Sequence, residues 1–116
     1  MLERLLEYGV DTRNIAEIET ETAQAIIMVD THGENAIILH PGANHEVPQT
    51  ALQSALSEAE TGDWLVMQNE TNLQRTAAEM ARKMGLKVAY AAAPFSVERV
   101  QAVLEYLRFL ILNPRW

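Results

Sequence analysis

The fold class follows from residues 62–92, GDWLVMQNETNLQRTAAEMARKMGLKVAYAA. In this stretch, two apolar runs typical of strands flank one amphipathic helical pattern. The runs that begin at Trp64 and at Lys87 are short and almost continuously apolar, which is typical of strands covered on both faces of a sheet. Between them, apolar side chains recur at helical spacing from Leu73 onward, and Gly85 can end the helix because glycine tolerates left-handed backbone. The stretch therefore predicts a strand–helix–strand unit.

Signals for the boundaries of helices and strands extend this unit toward the C-terminus. Thr71 and Gln74 fit a capping box, in which the two side chains satisfy free backbone donors at the start of a helix. Ser96 can cap a further helix, whose apolar face runs to Leu107, and residues 109–112 are apolar enough for a last strand. Strands that alternate with helices across short loops predict two right-handed crossovers and a parallel βαβαβ sheet.

The first half of the chain has a different pattern. Residues 1–8 predict a short helix, and the β-branched runs at 23–29 and 36–40 predict two strands around a loop that contains Gly33. A helix rich in leucine and alanine follows Pro48. The two strands predict an antiparallel hairpin that is added at one side of the parallel sheet. We therefore predict a three-layer α/β fold with a mainly parallel sheet, helices on both of its faces and an N-terminal antiparallel hairpin.

Composition and charge narrow the class of protein. The chain has 116 residues, of which 48% are hydrophobic, so it has the length and the apolar content of one domain with a core. Its net charge of −7 argues against nucleic-acid binding, which needs a positive surface. It contains no cysteine, and its longest apolar run is far shorter than the ~20 residues that span a bilayer. We expect a cytoplasmic protein that binds neither nucleic acid nor a membrane.

Several kinds of catalytic or cofactor site are missing from the sequence. The five glycines are too far apart to form a dinucleotide-binding or P-loop phosphate cradle, and no Gly-x-Ser-x-Gly nucleophile turn occurs. The spacing of His32, His40 and His45 fits no metal-binding pattern, so we expect exposed loop histidines and no metal site. These patterns predict no catalytic residue.

Candidate ligand-binding residues follow from the predicted topology. In open parallel sheets, ligands bind beyond the carboxyl ends of the strands, where Glu70 and Asn113 are expected. Glu70 either accepts hydrogen bonds from substrate hydroxyls or caps the helix that follows it. Asn113 either orients a water or a metal-bound phosphate, or belongs to an ordinary Asn-Pro turn. The residues alone leave both alternatives open.

Short motifs that follow one another along the chain point to a family. They are Gly9-Val10-Asp11-Thr12, Thr22 before the strand at 25–29, Gly33-Glu34-Asn35, Pro41-Gly42-Ala43-Asn44, Gly62-Asp63 with Gln68-Asn69-Glu70, and Ala93-Pro94. Taken together, they resemble the middle section of the ribokinase-like (PfkB-type) carbohydrate kinases. The resemblance implies that residues 1–116 form a single, incomplete domain with part of the ribokinase-like fold.

The resemblance also implies roles for individual residues. Glu70, the glutamate of Gln-x-Glu, would reach toward the sugar, and Ala25 and Leu39 on the hairpin strands would line the sugar pocket. Asn113 matches the first position of an Asn-x-x-Glu motif that helps to hold magnesium and phosphates. The fourth position of that motif is Trp116 instead of glutamate, so the match is partial.

Members of this family use ATP and Mg²⁺ to phosphorylate a sugar hydroxyl, but the resemblance does not extend to every segment that this reaction needs. The Gly-Gly sugar segment and the Gly-Ala-Gly-Asp segment with the catalytic aspartate do not occur in the 116 residues. We therefore expect a truncated kinase fragment that is inactive alone, has no catalytic residue and takes neither ATP nor magnesium. The alternatives are a non-catalytic binding or assembly module that keeps a weak polyol site, and one half of a split kinase.

The apolar strands also bear on assembly. A fold that is cut at both ends exposes strand edges and apolar faces, and the strands that begin at Trp64 and Phe109 are too apolar to lie bare. We expect a homo-oligomer that associates through an exposed sheet edge or an apolar face.

Overall fold

The computed structural model, which describes residues 2–113, contains a two-stranded and a three-stranded sheet. The helices are α1 (Leu2–Glu7), α2 (Gln49–Ser57), α3 (Gln74–Lys83) and α4 (Val97–Val103), and the strands are β1 (Gln24–Val29), β2 (Asn35–His40), β3 (Trp64–Gln68), β4 (Lys87–Ala91) and β5 (Phe109–Ile111). Short 3-10 helices cover Gly42–His45 and Leu104–Tyr106. The α/β fold predicted from the sequence, with a parallel βαβαβ unit and an antiparallel hairpin, is confirmed.

The parallel sheet and its helices form the core. β3, β4 and β5 lie side by side in that order, and both neighbouring pairs are parallel. α3 and α4 contact each other and pack over the same buried side chains of the sheet. Val88, Tyr90 and Val103 are fully buried there, and Leu56 of α2 belongs to the same apolar cluster.

The opposite face of the parallel sheet is open, which differs from the predicted arrangement with helices on both faces. Trp64 and Val66 of β3 are 47% and 71% exposed, and Phe109 and Ile111 of β5 are 58% and 56% exposed. The reason is topological, because successive right-handed crossovers between strands in sequential order place both helices on one side. The described residues therefore leave an apolar sheet face without a helical layer.

The hairpin is a sheet of its own, so the expectation that it is added at one side of the parallel sheet is wrong. β1 and β2 pair in antiparallel register, with Ala25 opposite Leu39 and Ile27 opposite Ile37. Both strands are exposed along their whole length, although apolar residues dominate them. Apolar β-branched runs predicted these strands because such residues favour the pleated backbone, but the runs do not determine which sheet the strands join.

The start of α3 also differs from the prediction. Its N-cap is Leu73, which has left-handed backbone with a φ of 59°, and no side chain caps the helix. Gln74 instead donates from Nε2 to the carbonyl of Gln68 at 2.5 Å, so the capping box with Thr71 is wrong. The predicted cap of α4 does form, since Ser96 Oγ accepts a hydrogen bond from a backbone N–H of the first turn at 3.3 Å.

Candidate functional site

A cavity of about 530 Å³ lies where the base of the hairpin meets the carboxyl ends of β3 and β4. The hairpin side of the cavity is lined by residues 22–25 and 39–41, followed by Asn44 and His45. The sheet side is lined by Asn69, Glu70, residues 94–96 and Arg99. The position agrees with the rule that ligands bind beyond the carboxyl ends of parallel strands.

Three of the four predicted site residues come together in this cavity. Glu70 lies on the sheet side, and Ala25 and Leu39, which are paired across the hairpin, lie on the opposite wall. Asn113 is exposed and does not line the cavity. Trp116, the last position of the partial Asn-x-x-Glu motif, lies outside the described residues.

The carboxylate of Glu70 is available to a ligand. Glu70 is half-buried, and among residues 2–113 its carboxylate has neither a hydrogen bond nor an ion pair. The alternative role as a helix cap does not hold, because α3 begins only at Gln74 and has no side-chain cap. An ionised carboxylate at a cavity wall can accept hydrogen bonds from two hydroxyl groups, which is the chemistry of polyol recognition.

The backbone just before Glu70 is fixed by Asn69. The sequence motif Gln68-Asn69-Glu70 contains this residue but gives no sign of this role. Asn69 is 3% exposed. Its Oδ1 accepts from the Tyr90 hydroxyl at 2.7 Å, and its Nδ2 donates to the Pro94 carbonyl at 2.6 Å. Its backbone N–H donates to the Ala93 carbonyl at 3.2 Å, and its carbonyl accepts from Arg99 Nη1 at 3.1 Å. The side chain and the backbone of Asn69 therefore connect the end of β3 with β4, the loop after β4 and α4 at the cavity.

Tyr90 is the buried donor at the centre of this arrangement. Its hydroxyl lies 2.7 Å from Asn69 Oδ1 and 2.9 Å from Gln74 Oε1. Burial raises the pKa of the Tyr90 hydroxyl, against a smaller lowering by the charge of Arg99, so the hydroxyl keeps its proton and acts as a donor at neutral pH. Among the described residues no buried side-chain nitrogen or oxygen lacks a partner, so the polar network is complete without a ligand.

The hairpin is held over the cavity by the segment that follows it. Asn72, in the loop before α3, donates from Nδ2 to the Val47 carbonyl at 3.0 Å and accepts from the Val47 N–H at 3.2 Å. Its own N–H donates to the Asn44 carbonyl at 3.3 Å. Gly42, just after β2, permits a close approach to the segment before β1, because a Cβ there would collide with the Glu21 carbonyl, and its φ is +44°. These contacts place the hairpin wall opposite Glu70.

The described residues contain no cluster that resembles a metal site. Within residues 2–113, no three His, Cys, Asp or Glu side chains lie close enough together to hold an ion. His32, His40 and His45 are exposed as predicted, but His40 ends β2 and His45 ends a 3-10 helix, and both line the cavity. In the same range of residues, no helix has both the length and the apolar character that a membrane crossing requires.

Two known proteins similar in sequence to the chain are ribokinases. A ribokinase of Haemophilus influenzae is 35% identical over 92 residues, which cover 77% of the chain and 30% of that protein. A ribokinase of Schizosaccharomyces pombe is 32% identical over 116 residues, which cover 97% of the chain and 36% of that protein. No protein-family model matches the chain.

The fold agrees with the sequence comparison. The crystal structure of ribokinase from Thermotoga maritima superposes with a TM-score of 0.74 and is 30% identical, over 98% of the chain and 36% of that structure. The chain thus spans about a third of the length of the ribokinases it matches. By sequence and by structure, the chain is homologous to the ribokinases and has the ribokinase-like α/β fold over that length.

Proposed function

We propose that the chain is the sugar-recognition section of a ribokinase-family sugar kinase, and that Glu70 accepts hydrogen bonds from the hydroxyls of a polyol in the 530 Å³ cavity. The observation that carries the proposal is the half-buried Glu70 carboxylate, which has no partner among residues 2–113. The names of the relatives favour a pentose among the possible polyols.

The remaining predicted residues receive roles in the same proposal. Ala25 and Leu39 form an apolar wall that packs against the carbon skeleton of the sugar and excludes water from it. Asn113 contributes to holding phosphate and magnesium only in the context of a longer kinase, because it does not line the cavity.

A binding experiment tests the role of Glu70. Calorimetric titration of the chain with D-ribose and with a panel of other pentoses and hexoses should give saturable binding for at least one sugar. Glu70→Gln removes the charge of the acceptor and should weaken that binding about tenfold or more, because a hydrogen bond to a charged group contributes about 1.5–3 kcal/mol. Glu98→Gln is the matched control, since Glu98 is an exposed glutamate outside the cavity. Equal affinities for the two variants would contradict the proposal.

We further propose that these 116 residues do not transfer a phosphoryl group by themselves. Phosphoryl transfer needs a phosphate cradle, a metal site and a base, and the sequence carries neither a Gly-rich cradle nor the Gly-Ala-Gly-Asp segment. The described residues also lack a group of side chains that fits a magnesium ion. We also propose that the chain acts in the cytoplasm, so the assay uses a buffer of cytoplasmic pH and salt. A coupled assay of ATP turnover with the same sugars in this buffer should show no sugar-dependent activity. Saturable phosphorylation would overturn this part.

Self-association is a separate proposal and corresponds to the alternative of an oligomeric binding module. Ile26 and Ile38 are paired on the hairpin face that points away from Ala25 and Leu39, and they are both 57% exposed. β1 and β2 are also edge strands with unpaired backbone groups, which a second copy can pair. Sedimentation at micromolar concentration should show a dimer or larger species that Ile38→Lys weakens.

The control for association is Glu34→Lys, which reverses a charge at the hairpin turn without removing an apolar side chain. It should leave the sedimentation coefficient close to that of the unaltered chain. A monomeric unaltered chain, or equal effects of the two substitutions, would contradict association through the hairpin face.

A further inference from the structure

A second cavity of about 350 Å³ adjoins the first, and its lining differs in charge. Arg99 and His45 line both cavities, so the two share a wall. The second cavity is otherwise lined by Arg75, by the loop residues 71–74 and by Ala102 and Val103 of α4. It therefore presents two guanidinium groups and one imidazole, and no carboxylate lines it.

Neither Arg75 nor Arg99 is held in an ion pair within the described residues. The chain has 16 acidic and 9 basic residues, yet among residues 2–113 neither Arg75 nor Arg99 has an ion pair, whereas Arg4, Arg13 and Lys83 do. Arg99 uses one N–H on the Asn69 carbonyl at 3.1 Å, and its other guanidinium donors have no acceptor within the described part of the chain. Arg82, Lys87 and Arg108 likewise form no ion pair within these residues, so Arg75 and Arg99 are distinguished by lining one cavity together.

Glu70 and Arg99 line the same first cavity without forming an ion pair with each other. The hydrogen bond to the Asn69 carbonyl holds the Arg99 guanidinium against the backbone instead. The carboxylate therefore lines the first cavity only, Arg75 lines the second only, and Arg99 lies at the wall between them. A carboxylate repels an anionic group, whereas a guanidinium group binds one with two parallel hydrogen bonds. The anionic group of a ligand is therefore favoured in the second cavity and disfavoured beside Glu70.

We propose that the two cavities together bind one ligand, a polyol that carries an anionic group, with its hydroxyls at Glu70 and its phosphate ester or carboxylate at Arg75 and Arg99. This inference rests on the polyol site proposed above and specifies its substrate class. It distinguishes the chain's ligand from a neutral sugar, which offers no charge to a cavity that is lined by two arginines and no carboxylate.

The test compares three sugars that share one carbon skeleton. D-ribose, ribose 5-phosphate and ribonate are titrated into the full chain by calorimetry at low salt, with inorganic phosphate alone as a fourth probe. At least one of the two anionic sugars should bind about tenfold or more tightly than ribose, as expected for a charge-assisted hydrogen bond to a guanidinium. The comparison of ribose 5-phosphate with ribonate identifies the anionic group.

Variants assign the effect to residues. Arg75→Gln should reduce the preference for the anionic sugar at least severalfold while leaving ribose binding within about twofold, because Arg75 lines only the second cavity. Arg99→Gln should reduce the same preference at least severalfold, and it is scored only by the ratio of the two affinities, because Arg99 also lines the polyol cavity and holds the Asn69 carbonyl. Arg82→Gln is the matched control, because Arg82 is an exposed arginine on α3 that lines neither cavity. Thermal midpoints of all three variants, measured alongside, verify that they fold.

The outcomes separate this inference from the proposed function. Equal binding of ribose and both anionic sugars overturns the inference and leaves the polyol site at Glu70 intact. A preference that survives Arg99→Gln and Arg75→Gln also overturns it. Inorganic phosphate that binds as tightly as ribose 5-phosphate shows an anion site without a polyol end, which again overturns it. If no probe depends on Glu70, the proposed function fails and the inference fails with it.

Discussion

The parallel sheet and the hairpin are both rich in apolar residues, but only one of them has a core. In the parallel sheet, Val88 and Tyr90 are completely buried under α3 and α4. In the hairpin, Ile27 and Ile37 are 59% and 52% exposed, and no residue of either strand is buried. A two-stranded sheet is marginally stable in water. Packing therefore stabilises the parallel sheet, whereas the hairpin depends on its connections to the rest of the chain and on any surface that covers it.

Truncation of one large apolar side chain in each region should give the largest contrast. Leu86 is 2% exposed in the core, so Leu86→Ala leaves a cavity and should lower the free energy of unfolding by about 2–5 kcal/mol. Ile37 is 52% exposed, and Ile37→Ala should cost less than about 0.5 kcal/mol in a monomer. Chemical denaturation followed by far-UV circular dichroism measures both.

Ile38, on the face proposed for association, shows whether a second copy covers the hairpin. If association buries Ile38, Ile38→Ala should cost more stability as the protein concentration rises, because binding stabilises the folded state by mass action. A cost of Ile37→Ala comparable to that of Leu86→Ala at low concentration would contradict the division into a packed and an unpacked region.

Removal of the Tyr90 hydroxyl should have the next largest effect. Tyr90→Phe leaves the side-chain oxygens of Asn69 and Gln74 without their donor, and an unsatisfied buried acceptor costs about 1–3 kcal/mol. Sugar binding should also weaken, since Asn69 fixes the backbone that precedes Glu70. Unfolding and calorimetric titration of the same variant measure the two effects.

The pH dependence of stability gives an independent check on Tyr90. Burial raises the pKa of its hydroxyl above the ordinary value of about 10, so the folded state holds the proton more tightly than the unfolded state. This contribution is fully present below pH ~10 and is lost as the pH rises through the folded-state pKa. The unaltered chain should therefore lose stability above pH ~10 more steeply than Tyr90→Phe. Parallel curves for the two proteins would contradict the assignment.

Local sequence patterns predicted the helices and strands well, because the period of apolar residues follows from the geometry of each element. The run at Trp64 and the helical spacing that begins at Leu73 are examples. The cap at Ser96 was also predictable, since a cap depends on neighbours in sequence. Glu70 was predicted from its place beyond the carboxyl end of a strand, whereas Ala25 and Leu39 came from the resemblance to a family. The cavity that the three residues share became visible only in three dimensions.

Interactions between distant residues were not predictable from these patterns. Gln74 has the residue type of a capping box, but its side chain has partners in β3 and β4, and this tertiary demand overrides the local signal. Tyr90 was not singled out in the sequence, and its place in a strand of small residues does not identify Asn69 as its partner. The open face of the parallel sheet was missed because a continuous apolar run is typical of strands covered on both faces, and such a run does not show which segment supplies the second layer.

The connection between the two regions should give the smallest effect on overall stability and the most local one. Asn72 joins the loop before α3 to Val47 through two side-chain hydrogen bonds, and these lie at the surface, so Asn72→Ala should cost about 1 kcal/mol or less. The loss should appear as faster amide hydrogen exchange in β1 and β2, while the amides of β4 keep their protection, because the core does not depend on this contact. Asn35→Ala, at the far end of β2, is the matched control and should leave exchange at the base of the hairpin unchanged. Faster exchange in β4 would mean that the hairpin and the parallel sheet unfold as one unit, and the distinction between the two regions would then not hold.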